Sequence, residues 1–426
     1  MKILVIGSGG REHAICWKLT KSKNVEKLIA IPGNPGISEI AECVNININE
    51  IEKIINFVKI NKIDLTIVGP EIPLMNGIVD QFENEKLLIF GPQKSAAMLE
   101  GSKIFAKNFM KRNSIPTADY SVFTKNEIIE AKNYIHSKNY PIVIKADGLA
   151  AGKGVVICNN SIEAENCLHE FFSKNIFGDS GSKIVIEDFM EGEEASIFVL
   201  TDGTKYLILP ASQDHKKIYD GEKGKNTGGM GAYSPTNCVT DEILKKIEIE
   251  IIIPTLNGMK SEGNIYKGCL YIGLMLTNTG PKVVEFNSRF GDPETQAVLP
   301  ICDIDFAEIF YQCAKGELVN IPKFTITKNA ICVVCASNGY PDKYETGKEI
   351  NGVDQFKDEE NIHIFHAGTK MDNNKLVTNG GRVLGVTAIG EKNNFESTFV
   401  KVYNSVDKIK FDGIYFRHDI AKRAIE

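Results

Sequence analysis

The sequence predicts a multidomain α/β and α+β protein. A doubly wound parallel sheet comes first, an antiparallel core follows, and a small β-rich domain closes the chain. Three observations lead there. Strand-like and helix-like segments alternate through the first hundred residues. Beyond about residue 120 the pattern becomes strand, glycine-rich turn, strand, as antiparallel layers require. The chain has 426 residues, 43% hydrophobic and 24% charged, which suits about three ordinary globular domains.

In the first region "KILVIG" reads as a buried strand. "REHAICWKLTKS" reads as a helix with Ala14, Trp17 and Leu19 as apolar anchors. "EKLIAIPGNPG" is a strand and turn, "INEIEKIINFVKINK" an amphipathic helix, and "IDLTIVGPE" and "LLIFGP" are strands ended by Gly-Pro. Ligands of doubly wound sheets sit beyond the carboxyl ends of the strands. Residues 7–11, 33–36 and 69–71 lie at such ends. In the middle region "YPIVIKADGLAAGKGVVIC" and "SKIVIEDFMEGEEASIFVLTDG" each read as two strands around a tight link. A helix, "DEILKKIEIEIIIPTLNGMKSEG", leads to the strands "GCLYIGLMLTN" and "PKVVEFNS". The tail from Asn329 holds "AICVVCAS", "IHIFHAGT" and "GRVLGVTAIG". The expected boundaries are 1–102, 103–326 with a flap subdomain at about 120–192, and 327–426.

Composition removes several classes of function. A net charge of −6 with no basic block argues against nucleic acid. No apolar run approaches the roughly 20 residues that span a bilayer. The first strand starts at Lys2, leaving no room for a leader, so a cytoplasmic location is expected. Of ten scattered cysteines, Cys332 and Cys335 form a C-x-x-C. Residues three apart on a strand face opposite sides, so these two read as small core residues and not as a redox or metal pair.

The opening "GSGGREH" invites a dinucleotide reading. That fingerprint needs a third glycine for close helix packing, and an acid about 20 residues on for the ribose. Here Glu12 takes the third position, and the second strand ends in "IPGNPG" with no acid. What remains is a strand end with small residues, backbone N–H groups and a helix N-terminus. Such a turn suits a single phosphate, with Arg11 adding charge.

"IVIKADGLAAGKGVVI" is not a P-loop. Gly148 and Gly152 are one residue too close, Gly154 replaces the hydroxyl residue, and a strand follows. It reads as a flap joining two strands, with Lys145 aimed at phosphate oxygens and Lys153 riding on the flap. In "IVIEDFMEGEEAS" the linker can offer backbone groups to a base edge and Glu193 to ribose hydroxyls. "KVVEFNSRFGDPETQ" is the sharpest stretch. Alternation on a strand puts Val283, Glu285, Asn287 and Arg289 on one face and Val284, Phe286 and Ser288 on the other. Glu285 and Asn287 offer oxygen ligands suited to Mg²⁺ beside phosphate, and Arg289 suits a developing negative charge. In the long polar segment "SQDHKKIYDGEKGKNTGGMGAYSP", Asp214, His215 and Lys216 are candidate substrate contacts.

Together these stretches resemble the ATP-grasp superfamily, and within it the branch that ligates glycine to a ribosylamine. The resemblance rests on "GSGGREHA", "VGPE", "LEGSK", "IVIKADGLAAGKGV", "SQDHK", "NTGGMGAYSP", "EFNSRFGDPETQ", "FHAGT" and "TNGGRVL", in that order along nearly the whole chain. It implies an ATP-grasp core. It also implies joining of glycine to 5-phosphoribosylamine through glycyl phosphate, giving glycinamide ribonucleotide, ADP and phosphate in purine synthesis. By position, the resemblance makes Lys103, Lys145, Gly148, Gly152, Lys153 and Gly154 ATP-phosphate residues. It makes Glu187, Asp188 and Phe189 the adenine hinge, and Glu193 the ribose ligand. Glu285 and Asn287 become the ligands of Mg²⁺ or Mn²⁺. Gly9, Gly10, Arg11, Glu12 and Glu71 would face the ribosyl phosphate. Asp214, Lys216, Arg289 and Asp292 would line the acyl-transfer site, with Arg289, Lys145 and Asp292 catalytic. The preceding strand, "YIGLML", lacks the second carboxylate of many relatives. A monomer acting on small molecules alone is expected. The competing expectations are another ATP-grasp carboxylate–amine ligase or carboxylase, and a nucleotide-sensing module without catalysis.

Overall fold

The computed structural model describes residues 1–148, 154–173, 182–319, 321–322 and 324–425. Its first layer is a sheet of β1 (Lys2–Gly7), β2 (Lys27–Pro32), β3 (Glu42–Cys43), β4 (Leu65–Val68) and β5 (Ile89–Phe90). The strands are parallel throughout, in the order β3-β2-β1-β4-β5. The order reverses at β1, so the β1 and β4 ends flank the crevice where such sheets bind ligands. β1 is buried on both faces. Ile3 and Val5 enter one core, and Leu4 and Ile6 enter another. The helix Gly10–Leu19 follows as expected, although its packing anchors are Ala14, Ile15, Cys16 and Leu19. Trp17 instead lies half-exposed against the His363 ring, with centroids 4.3 Å apart.

β6 (Tyr120–Thr124), β7 (Ile142–Ala146), β8 (Val155–Cys158) and β9 (Lys183–Asp188) form an antiparallel sheet in the order β6-β9-β7-β8. The helices Ile128–His136 and Ser161–Ser173 pack on it. Ile135, Ile144, Leu168, Phe171 and Ile186 give this unit a core of its own. β9 and the next strand, β10 (Glu193–Thr201), lie in different sheets, so the short linker between them joins the flap unit to the core. At Gly192 an added Cβ would stand 2.2 Å from the Leu276 carbonyl oxygen, so only glycine permits this crossing.

β11 (Tyr206–Ile208) follows β10. The polar segment after it is not the structureless loop its composition suggests. It folds as β12 (Gln213–Asp214), β13 (Lys217–Tyr219), β14 (Lys223–Asn226) and β15 (Gly231–Ser234). β16 (Gly268–Thr277) and β17 (Gly280–Asn287) then complete a sheet in the order β11-β10-β16-β17. The long helix before β16 is a continuous helical run, but residues Glu248–Ile252 adopt a π-helical turn ahead of Pro254. Proline cannot donate to the preceding turn, and a wider turn accommodates the missing bond.

The last strands are β18 (Lys328–Ser337), β19 (Ile362–His366), β20 (Thr369–Asp372), β21 (Lys375–Thr378), β22 (Arg382–Glu391) and β23 (Ile414–Tyr415). Their main sheet runs β12-β15-β18-β22-β19, with β23 also on β18. The glycine-rich segment around residue 230 is thus stitched into the C-terminal sheet. Cys332 and Cys335 are both fully buried and unbridged on β18.

One aromatic chain ties the layers together. Phe310 lies 4.6 Å from Phe90 of the first sheet and 5.8 Å from Phe290, which packs 5.2 Å from Phe198 of β10 (ring centroids). Phe310→Ala would remove a side chain only 1% exposed at this junction. The expected loss is about 3–5 kcal/mol, seen as a lower denaturant midpoint for the first sheet and the core together. A loss below about 1 kcal/mol would show that the junction is not a shared core.

Candidate active site

The site begins at the end of β1. The Gly9 N–H donates to Glu12 Oε2 at 2.7 Å, and Arg11 Nε donates to Glu12 Oε1 at 2.5 Å. The Glu12 carboxylate lies between the two strand ends. A Cβ on Gly7 would stand 2.4 Å from Glu12 Cγ, and one on Gly69 would stand 2.1 Å from Glu12 Oε1. The Gly9 N–H is thus capped by the residue that stands at the third-glycine position. A helix N-terminus favours a carboxylate, so the capping box is the natural use of Glu12. Asn34, after β2, donates to the carbonyls of Ser8 and His366 at 2.8 Å each, fixing the loop to the C-terminal sheet.

Arg11 turns toward the segment after β17, where its guanidinium donates to the Phe290 carbonyl at 3.1 Å. Arg289 reaches the other way. It pairs with Glu100 at 2.9 Å and with Glu71, at the end of β4, at 3.4 Å. Desolvation would raise the Glu71 carboxyl, but Arg289 and then Arg11 hold it below the usual range. Asp292 accepts from Gln296 Nε2 at 2.8 Å and faces Arg382 of β22 at 3.5 Å. Burial opposes its ionisation, and Arg382 and Arg11 outweigh that.

On the opposite wall Glu187 receives two buried lysines, Lys145 at 2.9 Å and Lys107 at 3.0 Å. Burial lowers Lys107 to about 8. Lys103 donates to the Gly148 carbonyl at 3.0 Å, and Asp147 accepts from Ser102 Oγ at 2.9 Å and from the Ile104 N–H at 3.2 Å. The flap strand end is thereby clamped to the N-terminus of the helix Lys103–Arg112.

β17 departs from simple alternation. Leu274 pairs with Val283 but Gly273 pairs with Glu285, so Val284 is an extra residue. This bulge sends Val283 into the core with Phe286 and leaves Val284, Glu285 and Asn287 on the cleft. The expected sharing of faces therefore holds for Glu285 and Asn287 but not for Val283 and Val284. Desolvation would raise Glu285, but Lys216, Lys145, Lys103 and Arg289 keep it below the ordinary carboxylate range. Lys216 pairs with Glu194 at 2.9 Å. Desolvation, helped by Glu294, Glu194 and Glu285 and opposed by Lys216, pushes Asp214 up to about 8. His215, between them on the chain, is only 2% exposed and packs beside Tyr233, so it is no cleft residue. Burial lowers it to about 3, so it stays neutral.

These walls enclose a cleft of about 560 Å³. Of the expected residues it is lined by Arg11, Glu71, Lys103, Lys145, Gly148, Gly154, Glu187, Asp214, Lys216, Glu285, Asn287, Arg289 and Asp292. Gly9, Gly10 and Glu12 support it from behind the loop. Asp188, Phe189 and Glu193 sit at the hinge outside its lining, and Asp188 pairs with Lys138 at 2.7 Å. Gly152 and Lys153 lie outside the described residues. Sequence reading missed Glu100, Lys107, Glu294 and Arg382. Lys107 was readable as the residue one helical turn beyond Lys103. Arg382 was not, because nothing local shows that β22 reaches this cleft.

Profiles of phosphoribosylglycinamide synthetase match in series: the N domain at residues 1–100, the ATP-grasp (A) domain at 101–295 and the C domain at 330–423. A phosphoribosylamine–glycine ligase of Caldanaerobacter subterraneus is 48% identical over 99% of both chains. One of Haemophilus influenzae is 46% identical over 100% of this chain and 99% of its own. The crystal structure of the Thermotoga maritima phosphoribosylamine–glycine ligase superposes with a TM-score of 0.85 at 35% identity, covering 99% of this chain and 100% of that one. A biotin carboxylase of Campylobacter jejuni shares the fold, at 15% identity and a TM-score of 0.72 over 97% and 93% of the two chains. With its sheets, cleft and all three domains matched along its length, this chain belongs to the phosphoribosylglycinamide synthetase family of ATP-grasp proteins.

Proposed function

We propose that this chain is an ATP-dependent ligase that joins glycine to 5-phosphoribosylamine, giving glycinamide ribonucleotide, ADP and phosphate, a step of purine biosynthesis. The observation that carries the reading is the single cleft in which Lys103, Lys145, Glu285, Asn287 and Arg289 face the β1 and β4 ends. Family membership supplies the substrates. Small polar substrates suit a cytoplasmic enzyme.

The chemistry runs in two displacements. A glycine carboxylate oxygen attacks the γ-phosphorus of ATP, forming glycyl phosphate and releasing ADP. The ribosylamine nitrogen then attacks the acyl carbon, phosphate leaves, and the nitrogen loses a proton. Phosphoryl transfer needs alignment and charge neutralisation more than covalent help. Lys103, Lys145, Gly148 and Gly154, with Gly152 and Lys153, hold the ATP phosphates. The hinge at Glu187, Asp188 and Phe189 takes the adenine and Glu193 the ribose. Glu285 and Asn287 would hold Mg²⁺, or Mn²⁺, which supplies further neutralisation of the phosphates. The fit is chemical: an ionised carboxylate and an amide oxygen are hard donors. Among the described residues no three His, Cys, Asp or Glu groups cluster at ligand spacing; with Glu285 and Asn287 as ligands, phosphate oxygens and water would complete the shell. Arg289 steadies the charge of the transferred group. Arg11, Glu71 and the Gly9–Gly10 turn behind Glu12 orient the ribosylamine. Asp214 accepts the amine proton, with Lys216 and Asp292 lining its approach.

The direct test is ADP release with ATP, glycine and ribosylamine, leaving out one at a time. Turnover should require all three, and ADP release independent of glycine would overturn the substrate assignment. Glu285→Ala should raise the Mg²⁺ concentration for half-maximal rate by at least about tenfold while leaving the melting temperature within a few degrees. An unchanged metal requirement would remove Glu285 from the metal site. Asp214 must be ionised to accept a proton, and its folded value is raised, so kcat should climb with pH and level off above about 8. Asp214→Asn should lower kcat by about 10²-fold and abolish that rise. A retained rise would assign the base elsewhere.

A further inference from the structure

We infer that Glu100 is the positioning residue that fixes the Arg289 guanidinium while Glu71 is given up to the amine substrate. The inference rests on the role proposed for Arg289, and assigns to Glu100 a part that the reaction itself does not require.

Arg289 is shared by two carboxylates that are not alike. Glu100, at the end of the helix Lys94–Gly101, meets the terminal Nη2 at 2.9 Å with a side chain only 7% exposed. It is itself tied down, because the Ser288 N–H donates to Glu100 Oε2 at 2.7 Å. Glu100 therefore grips the residue before Arg289 through its backbone and Arg289 through its side chain. Glu71 stands at 3.4 Å from Nε, outside good hydrogen-bond geometry, and its side chain is 31% exposed on the cleft. Arg289 Nε is in fact buried without a hydrogen-bond partner. A donor in that condition costs free energy unless a ligand or a shifted acceptor meets it.

The asymmetry gives the two acids different work. Glu71 can leave Arg289 for a substrate hydroxyl or amine more readily than Glu100 can, because its contact is longer and its side chain is exposed on the cleft. Glu100 cannot leave without stranding both the Ser288 N–H and the guanidinium. When Glu71 is engaged, Glu100 remains as the acid that keeps the planar group in register with the transferred phosphoryl. A one-ångström drift at such a group is costly to rate and nearly invisible to binding. Burial raises the Glu100 carboxyl, while Arg289, the Ser288 N–H and Arg11 favour its charge and Glu71 disfavours it.

The test is a cycle of Glu100→Gln, Arg289→Lys and the double variant, with kcat and the three KM values measured for each. Glu100→Gln keeps the size and the acceptor for the Ser288 N–H, and removes the charge that fixes Arg289. It should lower kcat by about 10-fold or more with each KM changed less than about threefold. Added to Arg289→Lys, it should lower kcat by less than a further twofold, because residues acting through one another are not additive. A Glu100→Gln enzyme with unchanged kcat, or losses that multiply fully in the double variant, would overturn the inference. If Arg289→Lys alone leaves kcat unchanged, it is the role of Arg289 that fails, and the Glu100 assignment fails with it. Circular dichroism of each variant separates these outcomes from misfolding, and Glu100→Asp, which keeps the charge on a shorter arm, should recover part of kcat.

Discussion

The carboxylate of Glu12 is the constraint on which the site is built. It stands where a dinucleotide turn has its third glycine, and presses against Gly7 and Gly69 at the ends of adjacent strands. Because it caps the Gly9 N–H and holds Arg11 Nε, Arg11 is delivered to the Phe290 carbonyl instead of to solvent. The turn of the first sheet and the loop after β17 are thereby fixed to each other. Asn34 extends the same contact to the C-terminal sheet through His366. One substituted position thus turns a common nucleotide turn into a junction of three layers.

Around that junction the charges are arranged in opposed pairs. Lys107 and Lys145 share Glu187, Lys216 takes Glu194, and Arg289 takes Glu100 with Glu71. Each pair is expensive to desolvate alone, and buried pairs are poor sources of stability. Their value here is geometric. Cations held by acids before substrate arrives need not reorganise when phosphate enters, and preorganised charge in a dry cleft is the largest lever of catalysis. The aromatic chain from Phe90 through Phe310 and Phe290 to Phe198 joins the first sheet to the core that carries them.

Much of this was legible in the sequence, because periodicity reports burial. The alternating elements of the first hundred residues and the antiparallel pairs after residue 120 fold as their patterns indicate. The failures have local causes. The bulge at Val284 breaks a strict period of two, and no residue type announces a bulge in "KVVEFN". The segment from Gln213 to Ser234 looked like a loop because its strand partner, β18, lies far along the chain. Trp17 looked like a core residue because its character is apolar, yet it lines a boundary against His363. For the site, charged residues beside glycines were readable, whereas Glu100 and Arg382 act through contacts that only the tertiary fold creates.

That long-range pairing sets the order in which the protein can become active. β15 ends at Ser234, and its neighbour β18 begins only at Lys328. At about 5–20 residues per second the ribosome needs several seconds to supply it. β22, the next strand of the same sheet and the one that bears Arg382, ends at Glu391. During synthesis the flap can fold from local sequence, but one face of the first sheet waits for Phe198, Phe290 and Phe310, and the Asp214 and Lys216 wall, although joined to β10 through Glu194, waits for the strand that flanks β15. The nascent chain can therefore complete its flap unit well before its catalytic cleft, and a partly made chain holds no assembled cleft in which to consume ATP.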